Sequence, residues 1–188
     1  MPKIIAGVKD KIIREAGEII ARGDYSAFSA RQIAAASSIA VGTLYNYFPS
    51  MESLIVTVIG GEWHQLIDEI DRGCQQAHSV AEGLDCMMKG MYRFSDKYYG
   101  FWATALKASD TLDLGGSWHD RLISETAERI DKLFTRLGCV CDKRLLPAMA
   151  EIIVSLSASR VVEPESACGL VTAVADRLCG GCCGGRLN

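Results

Sequence analysis

A short segment near residue 45 carries side chains that could read a nucleic acid. From Val41 to Tyr47 it combines a glycine, a hydroxyl, an amide and two phenols. Glycine lets a backbone approach its ligand closely, and polar side chains reach bases and phosphates in the DNA major groove. If the segment is a helix with Leu44 inward, its outer side consists of Val41, Gly42, Thr43, Tyr45, Asn46 and Tyr47. We therefore predict that this surface binds double-stranded DNA, with core packing as the alternative for the two tyrosines.

Aromatic and sulfur-containing side chains recur in the rest of the chain and are candidates for lining a small-molecule cavity. Flat rings and polarizable thioethers suit a planar apolar or cationic molecule. The predicted ligand-binding residues are Trp63, Met88, Tyr92, Trp102, Trp118 and Leu122. Packing in an ordinary core is the alternative for each of them.

Eight cysteines form a third group with chemical potential. Cys179, Cys182 and Cys183 stand close together between glycine pairs, and Cys139 and Cys141 form a second close pair. Such spacing could present sulfurs to one metal ion or serve a thiol–disulfide switch. A flexible tail is an equally simple interpretation of the first group. The three histidines show no metal-ligand spacing.

The sequence contains no recognisable catalytic motif. It has no phosphate-binding loop, no nucleophile elbow and no helix with two metal-binding histidines, so we predict a non-enzymatic protein without a cofactor. The net charge of −3 does not indicate a nucleic-acid binder by itself, although residues 1–60 carry six basic and five acidic side chains. No signal-peptide core or membrane-spanning stretch is present, which predicts a cytoplasmic protein without membrane contact.

The elements that position the reading surface are helices. Apolar residues at three- and four-residue steps predict a first helix from about Lys3 to Arg22, which Gly23 ends. Its inner side consists of Ile5, Val8, Ile12, Ala16 and Ile19.

Two short helices follow, and they meet in a tight turn. Ser29 is the predicted N-cap of a helix over Ala30–Ala36, and a turn at Ser37-Ser38 leads to a helix over Ala40–Tyr47. The buried contacts between them come from Ile33, Ala34, Ile39, Leu44 and Phe48.

The remaining chain reads as further helices. Ser50 is the predicted cap of a long fourth helix that reaches Gln76, and Gly60-Gly61 inside it is a predicted hinge. Five more helices are predicted at Ser79–Lys97, Tyr98–Ser109, Ser117–Leu137, Lys143–Val162 and Glu165–Leu178. The fold is thus predicted to be all-α with about nine helices. We predict that residues 1–49 form a three-helix helix-turn-helix domain that binds DNA, and that residues 50–188 form a helical ligand-binding and dimerisation domain.

The last two predicted helices are apolar around much of their circumference. Two such helices packed against their symmetry mates would make a four-helix interface, which predicts a homodimer. An ordinary monomeric core is the alternative.

The segment from Phe28 to Leu54 resembles the DNA-binding domain of the TetR family of bacterial and archaeal repressors. The residues that carry the resemblance are Ile33-Ala34, Gly42-Thr43-Leu44-Tyr45, Tyr47-Phe48-Pro49-Ser50, Glu52 and Leu54. The resemblance covers about residues 5–56, and beyond them it extends only to helix number and chain length. It implies a ligand-responsive repressor that binds a palindromic operator as a homodimer. A small apolar or aromatic effector among the fourth to eighth helices would release it.

The resemblance also implies residue roles and shows departures. Ser29 and Arg31 would contact phosphate. Gly42, Thr43 and Tyr45 would contact base edges, and Asn46 and Tyr47 would contact the DNA backbone. Ser38 stands where the family usually has glycine, and a left-handed serine costs about 1 kcal/mol. Ala40-Val41 stands where the family usually has Ser-Lys, and Met51 stands where it usually has lysine. We therefore predict operator binding that is weaker or less salt-sensitive than is usual for the family.

Two alternatives to this function stay open at the level of sequence. One is a repressor that senses a thiol reagent or a metal through Cys179, Cys182 and Cys183. The other is a helical dimer that does not bind DNA.

Overall fold

All the regular secondary structure in the described part of the chain is helical. The computed structural model describes residues 7–23, 28–108, 115–159 and 161–179, of which residues 99–108 and 115–117 by their backbone only. The helices are α1 (Val8–Ala21), α2 (Ala30–Ala36), α3 (Val41–Tyr47), α4 (Met51–Gln76), α5 (Val80–Ala108), α6 (Gly115–Arg136), α7 (Leu146–Ser159) and α8 (Pro164–Leu178), with a 3₁₀ turn at Lys143–Leu145. These ranges contain no strand, which confirms the all-α prediction.

The helices divide into two compact units. The first unit combines α1, α2 and α3 with residues 51–65 of α4 and residues 97–108 of α5. The second unit holds the rest of α4 and α5 together with α6, α7 and α8. The domain boundary predicted between residues 49 and 50 stays a prediction.

Helix α1 is amphipathic and buries one side in the first unit. Its buried residues are Ile12, Ala16 and Ile20, at steps of four. The predicted inner residue Ile19 is only half-buried. A step of four residues turns about 40° past a full circle, whereas a step of three falls about 60° short, so Ile20 continues the side of Ala16 better. Gly23 follows the helix end in the left-handed conformation at φ 71°, as predicted.

Serine side chains cap the helices that frame the reading surface. Ser29 Oγ accepts a hydrogen bond from the Gln32 backbone N–H at 3.3 Å. At the start of α4, Ser50 Oγ accepts from the Ser53 N–H at 3.2 Å, and Ser53 Oγ accepts from the Ser50 N–H at 3.3 Å. Each bond satisfies a backbone donor that has no partner inside its helix. Both predicted caps are confirmed.

Helix α5 is longer than predicted. The predicted break between Lys97 and Tyr98 is wrong, because the helix continues to Ala108, so the described residues form eight α-helices. Tyr98 is fully buried, and Lys97 Nζ donates to Glu62 Oε2 of α4 at 2.6 Å. These contacts support the helix at this point, and Gly100 adds a cost of only about 1 kcal/mol.

The second unit packs α6 against α7 and α7 against α8. The predicted single helix over Lys143–Val162 is divided into the 3₁₀ turn and α7, and Asp142 Oδ1 accepts from the Arg144 N–H at 3.0 Å to cap the turn. A Cβ added to Gly83 of α5 would overlap the side chain of Leu133 of α6, so any larger residue at this position would force that leucine to shift. None of the described helices combines the length and apolarity that a membrane span needs.

Candidate nucleic-acid interface

Helix α3 is attached to the first unit by one side only. Leu44 and, just after the helix, Phe48 are buried, and so are Ile33 and Ala34 of α2. Ile39, which the sequence also predicts as buried, is half-buried. The inner side of the two short helices is therefore a small apolar core, and it holds α3 without covering its outer side.

The predicted DNA-reading residues lie on that outer side to different degrees. The side chain of Tyr45 is 43% exposed and that of Val41 is 37% exposed. Gly42 and Asn46 are exposed, and Thr43 and Tyr47 are half-buried. An added Cβ at Gly42 would meet no atom within 4 Å, so the protein itself does not require glycine there. The exposure of Tyr45 leaves it available to a ligand, although its contact with DNA stays a prediction.

The start of α2 presents the predicted phosphate contacts. Arg31 is exposed, and Ser29 is half-buried. The Ser29 oxygen already accepts the capping hydrogen bond from Gln32. Its hydroxyl proton can still be donated to an anion, because a serine hydroxyl both donates and accepts.

The turn between α2 and α3 contains a left-handed serine, as predicted. Ser38 has φ 58° and is the single non-glycine residue with positive φ in the described ranges. Its N–H donates to Ala35 O at 3.0 Å, and the Ile39 N–H donates to Ala34 O at 2.9 Å. This pair of bonds is the helix-ending arrangement that usually takes glycine at the left-handed position.

A lysine from α1 reaches this turn. Lys11 Nζ donates to Ser38 Oγ at 3.3 Å, a contact that glycine could not make. Sequence reasoning missed it because 27 residues separate the two side chains and no local pattern connects them. Lys9, two residues earlier on α1, lies 6.0 Å from the centre of the Phe48 ring. The two lysines bring positive charge toward a region whose α3 helix has none of its own.

The predicted effector residues are distributed over both units. Trp63 is fully buried in the first unit, and Met88 is fully buried in the second. Tyr92 donates its hydroxyl to Val162 O at 2.8 Å. Trp118 is half-buried, with the Arg121 guanidinium 5.5 Å from its ring centre. Leu122 is half-buried and the Trp102 side chain lies outside the described residues, so their common role stays a prediction.

A cavity of about 380 Å³ lies in the first unit between α1 and α4. Its lining contains none of the predicted effector residues and includes charged side chains, among them Arg14, Glu62 and Lys97. Glu62 and Lys97 form the ion pair at 2.6 Å described above. Ile13, Ala21 and Val58 also line it, so the cavity is of mixed character.

The predicted thiol site at the C-terminal end is only partly described. Cys179 is buried at the end of α8, and Cys182 and Cys183 lie outside the described residues. Two other thiols are held in protonated form by their surroundings. Burial raises the pKa of Cys74 to about 12 and that of Cys168 to about 11.

Leu44 and Phe48 hold α3 in the core while its outer side stays exposed, and a serine caps the preceding helix. This arrangement defines a helix-turn-helix protein. Residues 12–58 match the family described as "Bacterial regulatory proteins, tetR family". The chain is also 33% identical over 75 residues to the HTH-type transcriptional repressor KstR of Mycolicibacterium smegmatis. That match covers 40% of this chain and 37% of the repressor, so the chain matches well under half of this relative's length.

Solved structures share the fold of most of the chain. A tetR-family transcriptional regulator from Streptomyces coelicolor superposes with a TM-score of 0.66 at 16% identity, covering 93% of this chain and 84% of that one. The transcriptional regulator FadR from Bacillus subtilis, solved in complex with stearoyl-CoA, superposes with a TM-score of 0.62 at 19% identity, covering 92% and 98%. The chain is thus similar to TetR-family regulators in sequence over residues 12–58, and it shares the fold of TetR-family structures over most of its length.

Proposed function

We propose that this regulator is a cytoplasmic, non-enzymatic repressor that binds a palindromic operator as a homodimer. The observation that carries the proposal is the outer side of α3, where Tyr45, Val41, Gly42 and Asn46 are exposed while Leu44 fixes the helix from behind. A helix held in this way can enter a major groove, and Arg31 at the start of α2 is placed to contact phosphate.

A homodimer is proposed because the last two helices keep apolar side chains at their surface. Leu170 of α8 is 47% exposed, and Ile152 and Leu156 of α7 and Val174 of α8 are half-buried. Pairing two copies through these helices would remove this apolar surface from water. It would also present two α3 helices to successive major grooves, about 34 Å apart.

Sedimentation tests the dimer. We expect Leu170→Glu to shift the protein toward monomer, because a carboxylate would be buried in the interface. Val140→Glu is the matched control, since Val140 is also an exposed apolar residue but lies outside α7 and α8. If the two variants and the wild type have the same mass distribution, α8 does not form the dimer interface.

DNA binding is tested by selection from a pool of random duplexes, followed by titration of the selected sequence. We expect Tyr45→Ala to lower the affinity about tenfold or more, the magnitude of one lost specific contact. Val56→Ala is the control, because Val56 of α4 is equally exposed at 43% and lies outside α3. If no duplex is selected, or if both variants bind as the wild type does, the outer side of α3 does not read DNA.

A small apolar or aromatic effector is proposed to release the operator. The aromatic and methionine side chains of the predicted set support this, as does the shared fold with a regulator solved with stearoyl-CoA, whose acyl chain is a long apolar ligand. Gly60 and Gly61 lie inside α4, and an added Cβ at either position meets no atom within 4 Å. Replacing both by alanine stiffens α4 without a clash. We therefore expect the substitution to change the response to an effector more than the affinity for the operator, and equal effects would exclude a hinge there.

The second candidate is a repressor that responds to thiol reagents through Cys179, Cys182 and Cys183. Changing these three residues to serine separates the two candidates. Release of the operator by an effector is kept under the first and lost under the second.

A further inference from the structure

The turn between α6 and α7 brings two thiols to one cavity. This cavity, of about 310 Å³, is formed by the end of α6, the turn that follows it and the first residue of α7. Its lining includes Cys139 and Cys141. Both residues are half-buried, and the Cys141 thiol donates to Asp142 O at 3.6 Å in a long, exposed contact. Neither belongs to the helix-turn-helix or to the predicted effector residues.

The backbone fixes the position of the first thiol. Gly138 follows α6 with φ 71°, and its N–H donates to Thr135 O at 3.2 Å. The next N–H, that of Cys139, donates to Phe134 O at 2.9 Å. These two bonds form the helix-ending motif in which a left-handed glycine reverses the chain. Cys139 therefore leaves the helix in a defined direction.

The two cysteines are close enough in the chain to reach one ion. Val140 between them is 85% exposed and lines the cavity together with both cysteines. An extended chain spans at most about 3.6 Å per residue, so the Cα atoms of residues two apart are at most about 7 Å apart. Asp142, which follows, is extended, with φ −67° and ψ 111°. Two thiols at this spacing can converge on one small ion.

The donor set determines which ion would fit. Within the described residues, no group of three or more His, Cys, Asp or Glu side chains could hold a metal ion, so a four-coordinate zinc site is not formed there. Two thiolates without further ligands suit a soft ion that accepts two-coordinate binding, and thiolates favour copper in its monovalent state. We propose that Cys139 and Cys141 together bind one copper(I) ion at the α6–α7 turn. Each thiol loses its proton to water when its sulfur–copper bond forms, so that two protons are released per ion.

The rest of the cavity is compatible with this ion. Phe134 and Leu146 supply apolar walls, which limit the access of water. Two thiolates and one monovalent cation carry a net charge of −1. Lys143 of the same lining can compensate this charge, since its ion pair with Asp131, at 2.8 Å, is exposed at the lysine end and weakly held.

Copper(I) titration of the full chain tests the proposal. The protein is titrated without oxygen, in competition with a chromophoric copper(I) chelator, and the number of tightly held ions and their affinity are measured. Cys139→Ser/Cys141→Ser is the site variant, and each single change is measured as well. Cys168→Ser is the matched control, because it removes one thiol of α8 that lies outside this cavity. Circular dichroism checks that each variant keeps its helical content.

We expect the double variant to hold one copper(I) ion fewer than the wild type. Each single variant is expected to bind that ion about 100-fold more weakly or worse, because the advantage of holding it at two linked sites is lost. Cys168→Ser should match the wild type. Cys179→Ser/Cys182→Ser/Cys183→Ser should keep the ion that the double variant loses. If the double variant keeps the full number of ions at the same affinity, or if the triple variant alone loses the ion, the proposal is overturned. None of these results depends on binding of DNA.

Discussion

Replacement of the left-handed serine between α2 and α3 gives a sharp test of how this turn is stabilised. Ser38 has φ 58°, which costs an L-residue about 1 kcal/mol relative to glycine. The hydrogen bond that Lys11 Nζ donates to Ser38 Oγ at 3.3 Å partly offsets this cost. Because the bond is long and exposed, its net value lies at the low end for a hydrogen bond, about 0.5 kcal/mol. Ser38→Gly relieves the strain and loses the bond, so its free energy of unfolding should rise by about 0.5 kcal/mol.

Ser38→Ala should change the free energy of unfolding in the opposite direction. Alanine keeps the strain and loses the hydrogen bond, so its free energy of unfolding should fall by about 0.5 kcal/mol. The two variants should therefore differ by about 1 kcal/mol, or about 2–4 °C in Tm for a chain of this size. Thermal unfolding followed by circular dichroism measures both. A double-mutant cycle with Lys11→Met isolates the hydrogen bond. If the glycine variant is no more stable than the alanine variant, backbone strain does not matter at this turn.

Three further predictions concern DNA binding, packing and thiol chemistry. Arg31→Ala should reduce the slope of log affinity against log salt by about one unit, because one phosphate contact is lost, whereas Arg72→Ala, an exposed arginine of α4, should leave the slope unchanged. Gly83→Ala should lower the free energy of unfolding in urea by about 1 kcal/mol, because overpacking against buried Leu133 outweighs the better helix propensity of alanine. Cys74 should resist iodoacetamide at pH 8 in the folded protein and react faster only as the pH approaches its pKa of about 12, a profile that mass spectrometry of the labelled peptides measures.

The sequence predicts the helix-turn-helix well because its signals are local. The caps of Ser29 and Ser50, the glycine at position 23 and the strained Ser38 each depend on a few neighbouring residues. The inward position of Leu44 follows from helical periodicity in the same way. Signals of this kind act over one or two turns of a helix, and they can be read from the order of residues alone.

The misses arise where distant residues decide the outcome. The continuity of α5 through Lys97 and Tyr98 rests on contacts that include Glu62, which is 35 residues away. The bond from Lys11 to Ser38 spans 27 residues. Neither contact produces a periodic pattern in the sequence. Local sequence patterns therefore predict a helix break at Lys97 and Tyr98, and at Ser38 they predict backbone strain but not the hydrogen bond.

The glycines of the long helices show why spacing alone does not assign their roles. Gly83 is required by packing, since a Cβ there would overlap the Leu133 side chain. Gly60 and Gly61 face open space, so packing gives no reason for either of them. Together they weaken α4 by about 2 kcal/mol relative to alanine. The same helix buries Leu54, Ile55 and Val58 in the first unit, whereas no packing contact accounts for the two glycines. The hinge at this pair therefore stays a prediction, and the response of the double alanine variant to an effector tests it.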